Sequence, residues 1–396
     1  MLTAAQRTVI LSGGWWFPGS ALDLDFQLNR AAVNGNPADT ATSQLSITRA
    51  TVGMAQTSGG LWQSFASGAF RLTDLGLLVE EARTNVSLWN TKYSDSSWTK
   101  GNGGTGSVPT ITDNFATAPD GTATAGRVQL ALNGGNTSSD ISSLRQNVAN
   151  LTNGATYTHS VWLKSNTGSS YVIQIIDSEG TSKTNITVTP TWQQFQISHL
   201  QTSVNGSWGI WLRGANSNSD SADILIWADQ NEIGAFATSP ILITNAAATR
   251  NADVVQVIGP GAMIIPVSAS AFFQGFGQEG ISTNAKLLSA GPAQILITSS
   301  TNVAPNDSVN AATATLGSGT WAGTVKAAFG LDNTSMTAIA NGGTKVTQST
   351  STWTTSIAGQ TPYLGNQLAT NRSFNGYLQR AAFAVPKGIF DNRTSP

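Results

Sequence analysis

Two short stretches place indoles beside cations in a pattern suited to a flat, hydroxyl-rich ligand. Along an extended chain, side chains alternate between faces. In Ser160–Lys164, Val161 and Leu163 therefore share one face, and Trp162 and Lys164 share the other. In Trp208–Arg213, Trp208, Ile210 and Leu212 share one face, and Trp211 and Arg213 the other. Sugar rings present axial C–H groups to aromatic faces, while long polar side chains bond their hydroxyls. Trp162, Lys164, Trp211 and Arg213 are thus the candidate ligand-binding residues. The competing expectation is packing, with each indole lying under a cationic stem to close a sheet edge.

Other chemistry is thinly represented. Glu80 and Glu81 are neighbours, so on a strand they face opposite ways and cannot jointly flank a glycosidic bond. Glu81 and Arg83 share a face and read as a structural pair that fixes a link between regions. Asp23 and Asp25 would also share a face, but with Asp229 and Glu232 remote in sequence nothing has the spacing of a calcium loop, and no metal site is expected. The two histidines, His159 and His199, lie in strand-like segments, and His199 reads as a satisfied, half-buried residue and not a general base. Gly101–Gly106 and Gly275–Gly280 match the letters of a dinucleotide-binding glycine motif. Neither opens a helix, so neither aims a helix N-terminus at a phosphate, and both read as turns. With no nucleophile elbow, zinc-protease motif or P-loop, no catalytic residue and no cofactor are expected.

The elements that must position these residues are strands. Apolar residues recur with period two, and Gly, Ser, Thr and Asn punctuate nearly every stretch, so the chain reads as all-β. Residues 157–164, 171–176, 192–197, 208–213 and 224–229 read as strands of one sandwich, spanning 86–245. Residues 271–276, 286–289, 294–298, 324–330 and 377–383 read as strands of a second, spanning 246–396. Within the second, Asn341–Gly343, Leu364–Gly365 and Phe374–Tyr377 resemble the turn phrases of concanavalin-like, laminin-G-like domains. Residues 1–85 read as an irregular attachment region, with one strand-like edge at Leu22–Phe26. Its aromatic run Trp15, Trp16 and Phe17 cannot bury itself and is expected to dock on a partner or on the chain's own sandwich.

Composition narrows the function. Among 396 residues only 10% are charged, and the net charge is −1. That is no electrostatic footprint for nucleic acid, so none is expected as a partner. The polar surface must come from hydroxyls and amides and is expected to be neutral. The absence of cysteine excludes disulfides and thiolate metal sites. No apolar run is long enough to cross a bilayer as a helix, so membrane insertion is not expected. Met1–Ser20 lacks the apolar core and cleavage site of a secretory signal, so none is expected.

Four phrases, Gly76–Asn85, Ala118–Ala125, Gln230–Ser239 and Ala248–Asp253, follow in an order and spacing that resembles the head spike fiber family of tailed bacteriophages and prophages. The resemblance covers roughly residues 20–260. It implies a virion surface protein without enzymatic activity, assembled in the host cytoplasm and exposed on the particle. It also implies a jelly roll, like those of carbohydrate-binding modules, for the central sandwich. The expected partners are other virion proteins of head or tail, further copies of the chain, and bacterial surface glycans met weakly and multivalently. Two alternatives stand beside this: a tailspike-type enzyme that degrades polysaccharide, since concanavalin-like folds also host glycosidases, and a decoration protein with no ligand.

Overall fold

The computed structural model describes residues 15–17 and 19–258, then the segments 270–277, 285–290, 293–299, 302–307, 312–313, 325–331, 335–340, 346–349, 362–365 and 374–383. Asn341–Gly343, most of Met1–Ser20 and the end of Gly275–Gly280 lie outside the described residues. Among those described, every regular element is a strand except two short 3-10 turns, Thr42–Gln44 and Gly214–Asn216. The all-β expectation holds, and the strands fall within one to three residues of their expected ends in most cases.

The chain forms two compact units. One comprises 59–63 and 83–250; the other takes 1–58, 64–82 and 251–396. The first is a jelly roll by its own connectivity. Its eight main strands in chain order are Ala125–Ala131, Ile141–Val148, Thr156–Ser165, Tyr171–Ile176, Lys183–Val188, Gln193–Leu200, Gly206–Arg213 and Ser221–Ile233. One sheet carries them in the order first, eighth, third, sixth; the other carries second, seventh, fourth, fifth. That interleaving is the double Greek key of a jelly roll. Trp98–Gly103 extends the second sheet and Thr110–Ala116 the first.

Period two builds the core between these sheets. Val128, Leu130, Val161, Leu163, Ile224 and Ile226 from one sheet meet Leu144, Ile173, Ile175, Ile210 and Leu212 from the other. Each is almost fully removed from water, and burying such a side chain stabilises by about 1.5–3 kcal/mol.

The second unit is also a pair of antiparallel sheets, in the concanavalin-like manner expected. Its core draws Leu22, Leu24, Phe273, Leu378 and Phe383 from one sheet and Leu45, Val255, Val257 and Leu364 from the other. Residues 22–79 accordingly contribute strands to this unit, where an irregular region is expected from sequence. Leu22–Asp25 pairs on one side with Arg30–Val33 and on the other with Gly376–Phe383. Gly76–Val79 pairs with the same C-terminal strand, and Leu45–Thr48 pairs with Val254–Val257. In sequence, the jelly-roll segment 83–250 interrupts a sandwich whose strands lie on both sides of it. Local reading missed this because the pairings with Gly376–Phe383 and Val254–Val257 join residues more than 200 positions apart.

The family-like phrases serve this architecture. Arg83–Asn85 pairs with Ala248–Arg250, and Asn85 lies opposite Glu232. Asn85 Nδ2 donates to the Ile241 carbonyl at 3.0 Å, and its Oδ1 accepts from Asn231 N at 3.0 Å. In the other unit, Arg49, Arg71, Glu80 and Asp253 form a buried charge network. Arg49 Nη1 donates to Asp253 Oδ1 at 2.7 Å, Arg71 bonds both Asp253 and Glu80, and all four side chains are fully shielded. Gly53 makes room for it, since a Cβ there would lie 2.9 Å from Arg71 Cδ. In the 80–83 phrase, Glu80 pairs with Arg71 of its own unit, and Arg83 lies over the ring of Phe236 at 4.9 Å.

Candidate functional site

The four candidate ligand residues do not form one site. Trp162 and Lys164 stand on the outer face of one jelly-roll sheet, Trp211 and Arg213 on the outer face of the other. The core fills the space between the sheets.

Trp162 is closed off. Residues 59–63 of the same unit pass over it, Trp62 N donating to the Pro119 carbonyl at 2.9 Å. The Trp62 ring meets the Trp162 ring edge-on at 6.0 Å, leaving Trp162 only 8% exposed. Trp162 is thus covered by an indole and not by the cationic stem of the packing alternative, and it cannot serve as a platform; the cations lie at Trp211. Lys164 remains half-buried beside it.

Trp211 has a different setting. Strand register puts Gly101, Ser143, Trp211, Gln174 and Asn185 in one row across five strands. Their neighbours Leu144, Ile173, Ile175, Ile210 and Leu212 point into the core, so this row faces outward. Around the half-buried indole stand three cations. Lys183 Nζ lies 4.9 Å from the ring centroid, Arg145 Cζ 5.5 Å and Arg213 Cζ 5.7 Å. Sequence reasoning found Trp211 and Arg213, which are two residues apart, but not Arg145 and Lys183. Those arrive from two other strands, and only the register brings them to the ring.

Two polar atoms beside the indole have no protein partner. Gln174 is 6% exposed; its Nε2 donates to Asn185 Oδ1 at 3.0 Å, while its Oε1 accepts nothing. Arg145 Nε is likewise buried without an acceptor. Further along the same face, Asn147 and Ser207 help line a shallow hollow of about 470 Å³ with Val148, Ala149, Glu179, Asn205 and Gly206. Asn147 pairs with Ser207, two positions along from Arg145 and Gly209, so hollow and indole share one surface.

The acids of this unit are committed to structure. Burial opposes ionisation of Asp177, but the amide of Ser182, the Thr181 hydroxyl and amide, and His199 outweigh it and hold its carboxyl below the usual range. The Thr202 amide leads the groups that hold Glu179 below its usual value, against partial desolvation. His199 bridges the two, with Nδ1 3.2 Å from Asp177 and Nε2 2.8 Å from Glu179, as expected of a satisfied histidine. The Thr105 amide, then the Thr137 hydroxyl and amide, hold Asp140 well below the carboxylate range. This locks the turn inside Gly101–Gly106, which opens no helix. His159 is buried between the Ile176 carbonyl at 2.6 Å and Asp229 at 2.9 Å. Asp229 also accepts from Ser87, which accepts from Trp208 Nε1. Ser87 thus contacts the acid and not the imidazole, and all four are sealed in the interior, so this is no nucleophile–base pair.

The N-terminal aromatic run packs on its own unit. Phe17 is fully buried, 4.9 Å from Phe272 and 4.6 Å from the Arg380 guanidinium. It has no surface left for another protein. Trp15 lies 4.4 Å beneath Arg30 and meets Trp16 edge-on at 6.1 Å, and both indoles stay half-buried. Asp23 and Asp25 are each answered by an arginine, Arg380 at 3.0 Å and Arg30 at 2.9 Å. Among the described residues no cluster of three metal-ligating side chains occurs.

No protein-family model matches the chain, and no curated protein matches it. Remote likenesses exist among solved structures. The enzymatically active domain of bacteriophage CBA120 tailspike protein 4 is 16% identical over 38% of this chain and 21% of that one, with a TM-score of 0.28. The CBM22-1–CBM22-2 tandem domain of Paenibacillus barcinonensis Xyn10C is 10% identical over 77% of this chain and 98% of that one, at 0.26. Domains LG4-5 of the mouse laminin alpha1 chain are 9% identical over 63% and 84%, at 0.23.

Proposed function

We propose that this chain is a surface subunit of a phage or prophage particle that binds bacterial surface glycans through the outer jelly-roll face centred on Trp211. One observation carries the binding reading: a half-buried indole set in an outward row of Ser143, Gln174 and Asn185, with cations around its ring. The ring supplies an apolar face for sugar C–H groups, and the amides and hydroxyl supply partners for sugar oxygens. The virion setting rests on the ordered phrases within residues 20–260. On this reading the protein binds its glycan without cleaving it; the engagement of Asp140, Asp177, Glu179, Asp223 and Glu232 by neighbouring donors supports that reading. Other virion proteins and further copies of the chain are its partners, and Trp15 and Trp16, not Phe17, are the aromatic residues left to touch them.

The test compares the full chain with Trp211→Ala on an array of bacterial envelope glycans. Wild-type binding that falls by on the order of tenfold in the variant supports the reading, since losing an aromatic anchor costs about 1–2 kcal/mol or more. Equal binding by both proteins, or none by wild type, overturns it. Release of reducing ends from envelope polysaccharide would establish the enzyme alternative in its place.

A further inference from the structure

The chain carries few charges, yet three of its cations converge on one indole. Arg145, Lys183 and Arg213 approach from three different strands to 5.5, 4.9 and 5.7 Å of the Trp211 centroid. None has a carboxylate partner among the described residues. Lys183 Nζ donates to the Gly180 carbonyl at 2.9 Å and Arg213 Nε to the Ser138 carbonyl at 2.6 Å. All three lie within 5.7 Å of one centroid, a spacing comparable to the Debye length of roughly 8–10 Å, so their mutual repulsion is only partly screened. Cation–π attraction offsets some of this, but one ring face does not neutralise three positive charges. The nearest acid lining the adjoining hollow, Glu179, is taken up by His199 and Thr202. Gln174, nine-tenths buried in the same row, adds an unpartnered carbonyl oxygen, an acceptor suited to a sugar hydroxyl.

We infer that the Trp211 face selects anionic saccharides. A sugar ring stacks on the indole, and its carboxylate, sulfate or phosphate is held by Arg145, Lys183 and Arg213. Guanidinium forks suit oxyanions through paired N–H donors. This rests on the glycan-binding reading above and replaces the neutral recognition surface expected from composition with a locally cationic one.

The experiment titrates the full chain by calorimetry with oligogalacturonate, its fully methyl-esterified form, a sulfated dextran, a poly(glycerol phosphate), unmodified dextran and single-stranded DNA, each at low and high NaCl. Expected is binding of at least one acidic saccharide on the order of tenfold tighter than its uncharged counterpart, weakening as salt rises. Arg145→Gln, Lys183→Gln and Arg213→Gln should each weaken that binding by roughly two- to fivefold, as partly exposed charge contacts do, and so narrow the difference between the acid and its ester. The three acidic polymers separate carboxylate, sulfate and phosphate as the source of the anion. Equal affinity for the ester and the free acid, lost in Trp211→Ala, would overturn the anion selectivity while leaving glycan binding intact. Tighter binding of DNA than of every saccharide would overturn it in favour of a nucleic-acid site. No saccharide binding at all would overturn both readings.

Discussion

Replacing Asp253 with alanine removes the acid that holds two buried guanidinium groups. Asp253 accepts from Arg49 Nη1 at 2.7 Å, from Arg71, and from the Glu80 amide at 2.9 Å, in surroundings with no solvent exposure. In the intact protein two arginines balance two acids. In the variant, one positive charge is uncompensated in the interior and the Glu80 amide loses its acceptor. Breaking a buried ion pair by removing one partner costs about 3–5 kcal/mol, and an orphaned amide falls in the range of about 1–3 kcal/mol. A loss of about 4 kcal/mol corresponds to a urea midpoint lowered by about 1–2 M, given slopes of about 2–3 kcal/mol/M. Two units need not melt together, so the assay is hydrogen exchange read by mass spectrometry on peptides covering Leu22–Asp25 and Gly376–Phe383. Protection there should fall, while peptides covering Thr156–Ser165 stay protected. A fall in protection worth less than about 1 kcal/mol in Asp253→Ala would refute the claim that these charges are held out of water.

Two further outcomes test the jelly roll. Gly209, beside Trp211, has φ +147°, and a Cβ there would meet the Leu144 carbonyl oxygen and the Arg145 Cα; Gly209→Ala should cost about 1–3 kcal/mol and weaken glycan binding, and an unchanged melting profile would contradict the strained placement. Asp140, Asp177, Glu179 and Asp223 all ionise more easily when folded; their stabilisation is present above the ordinary carboxylate range, about pH 4, and lost as pH falls through the depressed folded values. Stability of this unit should therefore drop steeply below about pH 4, and Asp140→Asn should flatten that drop, whereas a pH-independent midpoint between 5 and 2 would contradict it.

Much of the local structure was legible in the residues. Alternation placed Val161 and Leu163 inside and Trp211 and Arg213 outside, because a strand's side-chain period is fixed by its backbone. The same alternation put Trp162 outside, correctly, but could not show Trp62 coming from a distant segment to cover it. Phe17 reads as a residue that must dock on a partner or on the chain's own sandwich, since nothing nearby in sequence can bury it, and the structure buries it against Phe272 and Arg380.

What the chain's sequence determined by itself is therefore the element type, the strand spans and the inward or outward sense of each side chain, all set by covalent geometry and local hydrophobic pattern. The tertiary structure alone decided which strands pair. It paired Leu22–Asp25 with Gly376–Phe383 across the length of the sequence, and it drew Arg145 and Lys183 to Trp211. Strand pairing depends on register between segments far apart in the chain, and that register is settled by how the two sheets bury their apolar faces together.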